Sequence, residues 1–91
     1  MAQQNSLASF LKDARNKAAL SQKDVADHMG YDTPQFISNW ERGISAPPVN
    51  AIKKLAQLYK ISADSLFETL LEEEIRITSE NLRRKFKSAR A

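Results

Sequence analysis

One short segment of the chain carries a row of polar side chains at helical spacing. An amide, a hydroxyl, a second amide and a guanidinium occupy positions i, i+3, i+4 and i+7, which are Gln35, Ser38, Asn39 and Arg42. That spacing puts the four groups on one face of a helix. Groups of these types donate to and accept from base edges and phosphates in the major groove of DNA. The segment is therefore a candidate recognition helix.

The same segment has residue types that mark the two ends of a helix. Thr33 is a favourable N-cap and Pro34 suits the first helical position. Gly43 suits the left-handed residue that closes a helix, so the predicted helix runs from Pro34 to Arg42. Its other face is apolar and should be buried.

Four further helices are predicted to position this segment, because apolar residues recur at helical spacing elsewhere in the chain. The predicted ranges are 6–19, 21–29, 48–59 and 62–91. Ser21 and Asp24 resemble a capping box at the start of the second helix, and Ser62 is the expected cap of the last. The fold class is therefore all-α. The expected core residues are Leu11, Val25, Ala26, Met29, Phe36, Ile37, Trp40, Ile52, Leu55, Ala56 and Leu66.

Composition excludes several classes of protein. Ninety-one residues form one small domain, and the absence of cysteine with a single histidine leaves no disulfide framework and no Cys/His metal cluster. No nucleophile–base pair and no glycine-rich phosphate loop can be assembled, so we expect neither an enzyme nor a cofactor. No apolar run reaches membrane-spanning length, and we expect a cytoplasmic protein. The net charge of +3 indicates nucleic acid only weakly.

Over roughly residues 7–67 the chain resembles the XRE, or lambda-repressor-like, helix-turn-helix family. The resemblance rests on a joint pattern of Leu20-Ser21-Gln22, Val25-Ala26, Met29-Gly30, Ile37-Ser38, Trp40-Glu41-Arg42-Gly43, Pro47, Leu55-Ala56 and Leu66. It implies a five-helix DNA-binding domain, which we assign to residues 6–67, with the third helix in the major groove. Residues 1–5 are expected to be frayed.

The resemblance also implies roles for single residues. The positions that face bases are Pro34, Gln35, Ser38 and Asn39. Gln22 matches a phosphate-contacting position of the family, and Arg42 matches a position near the DNA backbone. Because the loop at residues 44–46 lacks basic residues, Lys23, Thr33 and Asn50 are also expected to contact phosphates. Arg15, at the edge of the buried face of the first helix, matches one member of a family ion pair, and Glu41 matches the other.

Two departures from the family pattern concern the surroundings of the third helix. The turn at residues 30–33 looks one residue longer than the commonest form, so the start of the helix could be displaced. The loop at residues 44–46 lacks the basic residues that some relatives place against phosphate. Tyr31, in the turn, either packs over the third helix or contacts the DNA backbone.

Residues 68–91 form a predicted helical extension with its own apolar stripe. The stripe is expected to support dimerisation through Leu71, Ile75, Leu82 and Phe86. The extension is predicted to form one long helix, or two helices broken near Ile77–Ser79, where β-branched residues and serine weaken the helix. Acidic residues 72–74 precede a basic run that includes residues 83–85 and Arg90, which suits antiparallel pairing of two chains. The alternative is a basic tail that lies along DNA phosphates.

The function expected from these features is sequence-specific binding of double-stranded DNA by a transcriptional regulator, acting as a repressor. A homodimer would require an inverted-repeat operator. Two alternatives stay open at this point. One is the antitoxin of a toxin–antitoxin pair, with a toxin as protein partner, and the other is a protein-interaction module on the same fold.

Overall fold

Five α-helices and one short 3-10 turn make up the described part of the chain. The computed structural model describes residues 6–89, and that range contains no strand. The helices are α1 (Ser6–Lys17), α2 (Gln22–Met29), α3 (Gln35–Glu41), α4 (Ile52–Tyr59) and α5 (Ala63–Ser88), and the 3-10 turn spans Val49–Ala51. The all-α prediction is confirmed. The segment 1–5, predicted to be frayed, and Arg90 of the predicted basic run lie outside the described residues.

Helix α2 begins and ends with the local structures that its sequence predicts. The Ser21 hydroxyl accepts the Asp24 backbone N–H at 2.9 Å, and the Asp24 carboxylate accepts the Ser21 backbone N–H at 2.9 Å. These hydrogen bonds hold the pKa of Asp24 below its ordinary value. At the other end Gly30 adopts a φ of 82°, a left-handed conformation that favours glycine.

Helix α3 is shorter than predicted at both ends. Pro34 occupies the N-cap position and not the first helical position, and its carbonyl accepts the Ser38 N–H at 3.0 Å. The Thr33 hydroxyl still satisfies a free donor, because it accepts the Gln35 N–H at 2.9 Å. Arg42 follows the last helical residue, so the predicted range of Pro34 to Arg42 was wrong by one residue at each end.

The predicted end of the first helix and the predicted start of the fourth helix also shift. Helix α1 ends at Lys17, because Ala19 turns into the left-handed region with a φ of 60°. The fourth helix does not begin at Pro48, whose backbone is extended with a ψ of 152°. A 3-10 turn follows this proline, and its Ala51 N–H donates to the Pro48 carbonyl at 2.9 Å before α4 begins.

All five helices contribute apolar side chains to one core. Its buried residues are Leu7, Leu11, Ala14, Val25, Ala26, Ile37, Trp40, Ala51, Ile52, Leu55, Ala56, Tyr59, Leu66 and Leu70. Two predicted core residues differ from this list. Met29 is only half-buried, and Phe36 is 55% exposed, so its assignment to the core was wrong.

Helix α5 is continuous across the predicted weak point at Ile77–Ser79. The Ser62 hydroxyl caps it by accepting the Ser65 N–H at 3.1 Å. The helix ends at Ser88, before the predicted end at residue 91, because Ala89 is extended with a ψ of 96°. The core extends along α5 to Leu70, beyond the predicted domain boundary at residue 67. With 26 residues this helix is about 39 Å long, and the molecule measures 52 Å along its longest axis. None of the described helices is long and apolar enough to cross a membrane.

Candidate nucleic-acid interface

Helices α2 and α3 form a helix-turn-helix unit that α1 supports. Helix α3 packs against both α1 and α2. It is anchored by Ile37, which is fully buried, and by Trp40, which is 4% exposed. Because these two residues fix the inner face of α3, the polar row is presented outward.

The polar row contains a hydrogen-bonded pair of amides. Gln35 is exposed and Asn39 is half-buried, and Gln35 Nε2 donates to Asn39 Oδ1 at 2.9 Å. The pair keeps a carbonyl acceptor on Gln35 and an NH2 donor on Asn39 for other partners. Rotating both amides by half a turn moves the free acceptor to Asn39 and the free donor to Gln35, so the pair presents one acceptor and one donor group in either assignment.

The other two predicted base-facing residues, and the predicted phosphate contact Arg42, lie on α3 or at its ends. Pro34 is exposed at the start of α3, and Ser38 is half-buried one turn after it. Arg42 is exposed just past the end of the helix. The structure thus brings the predicted row together at one surface.

Arg15 and Glu41 form a buried, two-armed ion pair. Arg15 Nε donates to Glu41 Oε2 at 2.7 Å, and the Arg15 Nη2 atom donates to Oε1 at 3.0 Å. The side chains are 11% and 3% exposed. The hydrogen bonds to Glu41 raise the pKa of the Arg15 guanidinium, so this group stays positively charged. Arg15 Nη1 also donates to the Leu20 carbonyl at 2.9 Å, which links α1, the connection to α2, and α3.

Gln22 joins the same cluster, a contact that the sequence did not predict. Its Nε2 atom donates to Glu41 Oε1 at 3.1 Å, and the side chain is half-buried. The second amide hydrogen and the carbonyl oxygen are left for another partner. Sequence spacing gives no signal for this contact, because it depends on how α2 crosses α3.

The remaining residues predicted to contact phosphates are exposed. Lys23 forms an ion pair with Asp27 at 3.1 Å, one turn further along α2. Thr33 lies in the turn before α3, and Asn50 lies in the 3-10 turn before α4. The side chains of these three residues are open to solvent.

Aromatic rings cover one end of α3. The centroid of the Tyr31 ring lies 5.0 Å from that of Phe36 and 6.0 Å from that of Trp40. Tyr31 therefore packs over α3, as one of its two predicted alternatives required. Phe36 immediately precedes the buried Ile37 on the helix, so it falls at the edge of the apolar face and rests against Tyr31 at the surface.

Comparison with known proteins identifies the family to which this unit belongs. A family model described as Helix-turn-helix matches residues 11–66, more than half of the chain. The chain belongs to the XRE-type helix-turn-helix family. The predicted lambda-repressor-like fold is confirmed, with a long helix after the matched region.

Several helix-turn-helix relatives are named as transcriptional regulators. The chain is 38% identical over 61 residues to the HTH-type transcriptional regulator ImmR of Bacillus subtilis (strain 168), a match that covers 67% of this chain and 47% of that protein. It is 29% identical over 59 residues to an uncharacterized HTH-type transcriptional regulator of Mycobacterium tuberculosis (strain H37Rv), covering 65% of this chain and 41% of that protein. The match therefore spans less than half the length of either relative.

Proposed function

We propose that this helix-turn-helix protein is a sequence-specific, double-stranded DNA-binding repressor of transcription that acts in the cytoplasm. The observation that carries the proposal is the polar row on α3, which faces away from the buried Ile37 and Trp40. A helix held in this way can enter a major groove and offer its polar groups to base edges. Repression then follows from occupying an operator, which requires no catalysis.

The hydrogen-bonded amide pair is the proposed centre of base reading. An adenine presents an amino donor and the N7 acceptor in the major groove. The free Gln35 carbonyl can accept from the amino group while the Asn39 amide donates to N7. An operator half-site that contains A·T base pairs fits this pattern, with Pro34 and Ser38 against neighbouring base edges.

Phosphate contacts are proposed to set the position of α3 in the groove. The groups available for them are the side chains of Gln22, Lys23, Thr33, Arg42 and Asn50. Glu41 holds one hydrogen of the Gln22 amide, so the rest of that amide is presented in a fixed direction. Contacts of this kind give affinity and register but carry no sequence information.

The proposed operator is an inverted repeat bound by a homodimer. Two copies of α3 related by a two-fold axis would enter successive major grooves about 34 Å apart. A small domain gains both affinity and specificity from this arrangement, because each half-site contributes its own base contacts.

A salt-titrated binding assay on a pool of random duplexes tests the proposed function. We expect binding that weakens steeply as salt rises, since phosphate contacts release counterions. Gln35→Ala and Asn39→Ala should keep this salt dependence while losing sequence preference. If the wild-type chain does not bind duplex DNA even at low salt, the proposal is wrong.

A further inference from the structure

Helix α5 presents two rows of residues on roughly opposite sides. Leu66 and Leu70 are buried in the core, and Glu73 is 8% exposed on the same side. A second row is exposed to solvent, with fractional exposures of 38% at Leu71, 56% at Ile75, 60% at Leu82 and 82% at Phe86. The exposed row therefore has no partner within the described part of the chain.

The exposed row has the spacing of a helix–helix seam. Leu71, Ile75, Thr78 and Leu82 fall at i, i+4, i+7 and i+11, and Phe86 adds a further turn. A repeat of three and four residues is the pattern by which two helices pack along their length. A row of large apolar side chains of this extent favours burial against another surface.

Charged residues flank the row in an order that selects the orientation of a partner. Glu72 and Arg83 lie along one edge of the row, whereas Glu74 and Lys85 lie along the other. On each edge the acidic residue comes first and the basic residue comes about three turns later. In a parallel two-fold pair each edge faces the other edge of the second copy at the same height, so acidic residues meet acidic residues and basic residues meet basic residues. In an antiparallel pair each edge faces its own counterpart running in the reverse direction, so opposite charges meet.

Two charged residues of the acidic and basic runs, Glu73 and Arg84, do not lie along the exposed row. Glu73 belongs to the acidic run in the sequence, but its side chain is buried on the domain side and accepts a hydrogen bond from Arg76 Nη2 at 2.8 Å. Arg84 lies on the same side of the helix as Glu73, and its Nη1 atom donates to Asn81 at 3.1 Å. Among the described residues of the acidic and basic runs, the four flanking residues are the ones that we use to select a register.

We propose that α5 pairs antiparallel with α5 of a second copy about a two-fold axis between Thr78 and Ser79. This axis sets Leu71 opposite Phe86 and Ile75 opposite Leu82. The same axis brings Glu72 of one copy to the second copy's Arg83, and Glu74 to the second copy's Lys85. A single register thus satisfies the apolar row and both charged edges. The interface deepens the proposed function, and its link to an inverted-repeat operator rests on that function.

Sedimentation equilibrium of the full chain without DNA tests the interface. The wild type should dimerise at tens of micromolar. The variants Glu72→Lys/Glu74→Lys and Arg83→Glu/Lys85→Glu should each self-associate at least about tenfold more weakly, because like charges then meet along both edges. An equimolar mixture of the two variants should recover association close to that of the wild type. Glu80→Lys and Lys87→Glu, which lie off the exposed row, serve as matched controls.

Three results would overturn the interface. They are a monomeric wild type, variants that associate like the wild type, and a mixture that stays monomeric although each variant is folded by circular dichroism. Leu82→Glu adds a check that does not depend on charge pairing, since it should also yield a monomer. A monomeric wild type that is captured by a different protein would leave the exposed row to that protein.

Binding of the same variants to a duplex carrying one half-site separates this inference from the proposed function. Monomeric variants should keep half-site binding and lose only the gain from a second half-site. If the wild type is monomeric and Arg83→Glu/Lys85→Glu lowers the salt dependence of half-site binding, the basic residues act as a DNA-binding tail. If neither the wild type nor any variant binds DNA, the proposed function is wrong. The sedimentation experiment still shows whether the proposed α5 interface forms.

Discussion

The hydrogen bond between Gln35 and Asn39 couples the two side chains that we propose to read bases. We expect Gln35→Ala and Asn39→Ala each to relax preference at operator positions by about 1–3 kcal/mol. Each single substitution also removes the hydrogen bond that orients the remaining amide. The double variant should therefore lose less binding free energy than the sum of the two single losses, with a coupling energy of about 0.5–3 kcal/mol. Competition binding with duplexes substituted at single A·T positions measures both effects.

Lys23→Ala is the control for this coupling, since it removes a predicted phosphate contact. It should weaken binding evenly across sequences and lower the salt slope by about 1. Purely additive losses at Gln35 and Asn39 would show that the two amides read bases separately. Unchanged operator preference in both single variants would show that they do not read bases at all.

Glu41 stabilises the domain by accepting hydrogen bonds from Arg15 and Gln22 in a site with little solvent. Arg15→Ala leaves the Glu41 carboxylate buried without its charged partner, and should lower the free energy of unfolding by about 3–5 kcal/mol. Urea denaturation measures this loss. The exposed pair of Lys23 and Asp27 is the matched control, and Asp27→Ala should cost at most about 1 kcal/mol. Equal losses at the two sites would contradict the structural role given to Glu41.

At the scale of elements, the two aromatic residues of α3 differ in their contribution to the core, because Trp40 is buried and Phe36 is not. Trp40 is 4% exposed, so Trp40→Ala should cost about 3–5 kcal/mol through the cavity that it leaves. Phe36 is 55% exposed, and Phe36→Ala should cost clearly less. Unfolding of the two variants should be followed by circular dichroism. Tryptophan fluorescence cannot be used, because Trp40 is the single tryptophan of the chain and Trp40→Ala removes it. If Phe36→Ala lowers the free energy of unfolding more than Trp40→Ala does, Phe36 is part of the core and this account of α3 is wrong.

The capping box of α2 makes stability depend on pH in the acid range. The folded state holds the pKa of Asp24 below its ordinary value of 3.8. The stabilisation is therefore complete above that ordinary value and is lost as the pH falls through the lowered, folded-state pKa. Asp24→Asn should remove this part of the acid dependence. Thermal unfolding measured from about pH 2 to about pH 6, a range that brackets the ordinary pKa of an aspartate, tests this. A variant with the same acid dependence as the wild type would show that other carboxyls cause it.

The elements differ in how far their sequences determined them. The caps at Ser21 and Ser62 are local hydrogen bonds between residues three apart, so the sequence predicts them directly. The start of α3 was misplaced because Thr33 and Pro34 allow two neighbouring cap arrangements. Phe36 was misassigned because periodicity cannot distinguish the edge of an apolar face from its centre. The contact between Gln22 and Glu41 depends on the crossing of two helices, which spacing within either helix does not specify.

At the scale of the whole molecule, α5 connects the DNA-binding domain to the proposed dimer interface. One side of the helix completes the core through Leu66 and Leu70, and the other carries the exposed apolar row. The sequence predicted the row itself, but it did not show that Glu73 faces the domain. A continuous helix with both roles would fix the two domains relative to the two-fold axis, so operator spacing should be rigid. Inserting one helical turn after Arg76 would move the axis and should abolish cooperative binding to the original operator.

Selection of bound sequences from a random DNA pool tests the central claim most directly. The full chain should enrich an inverted repeat whose half-sites contain A·T base pairs and lie about 34 Å, or about 10 base pairs, apart. The Gln35→Ala/Asn39→Ala variant should enrich a weaker pattern with the same spacing. If the wild type enriches no sequence over the starting pool while the chain is folded, sequence-specific recognition by α3 is contradicted.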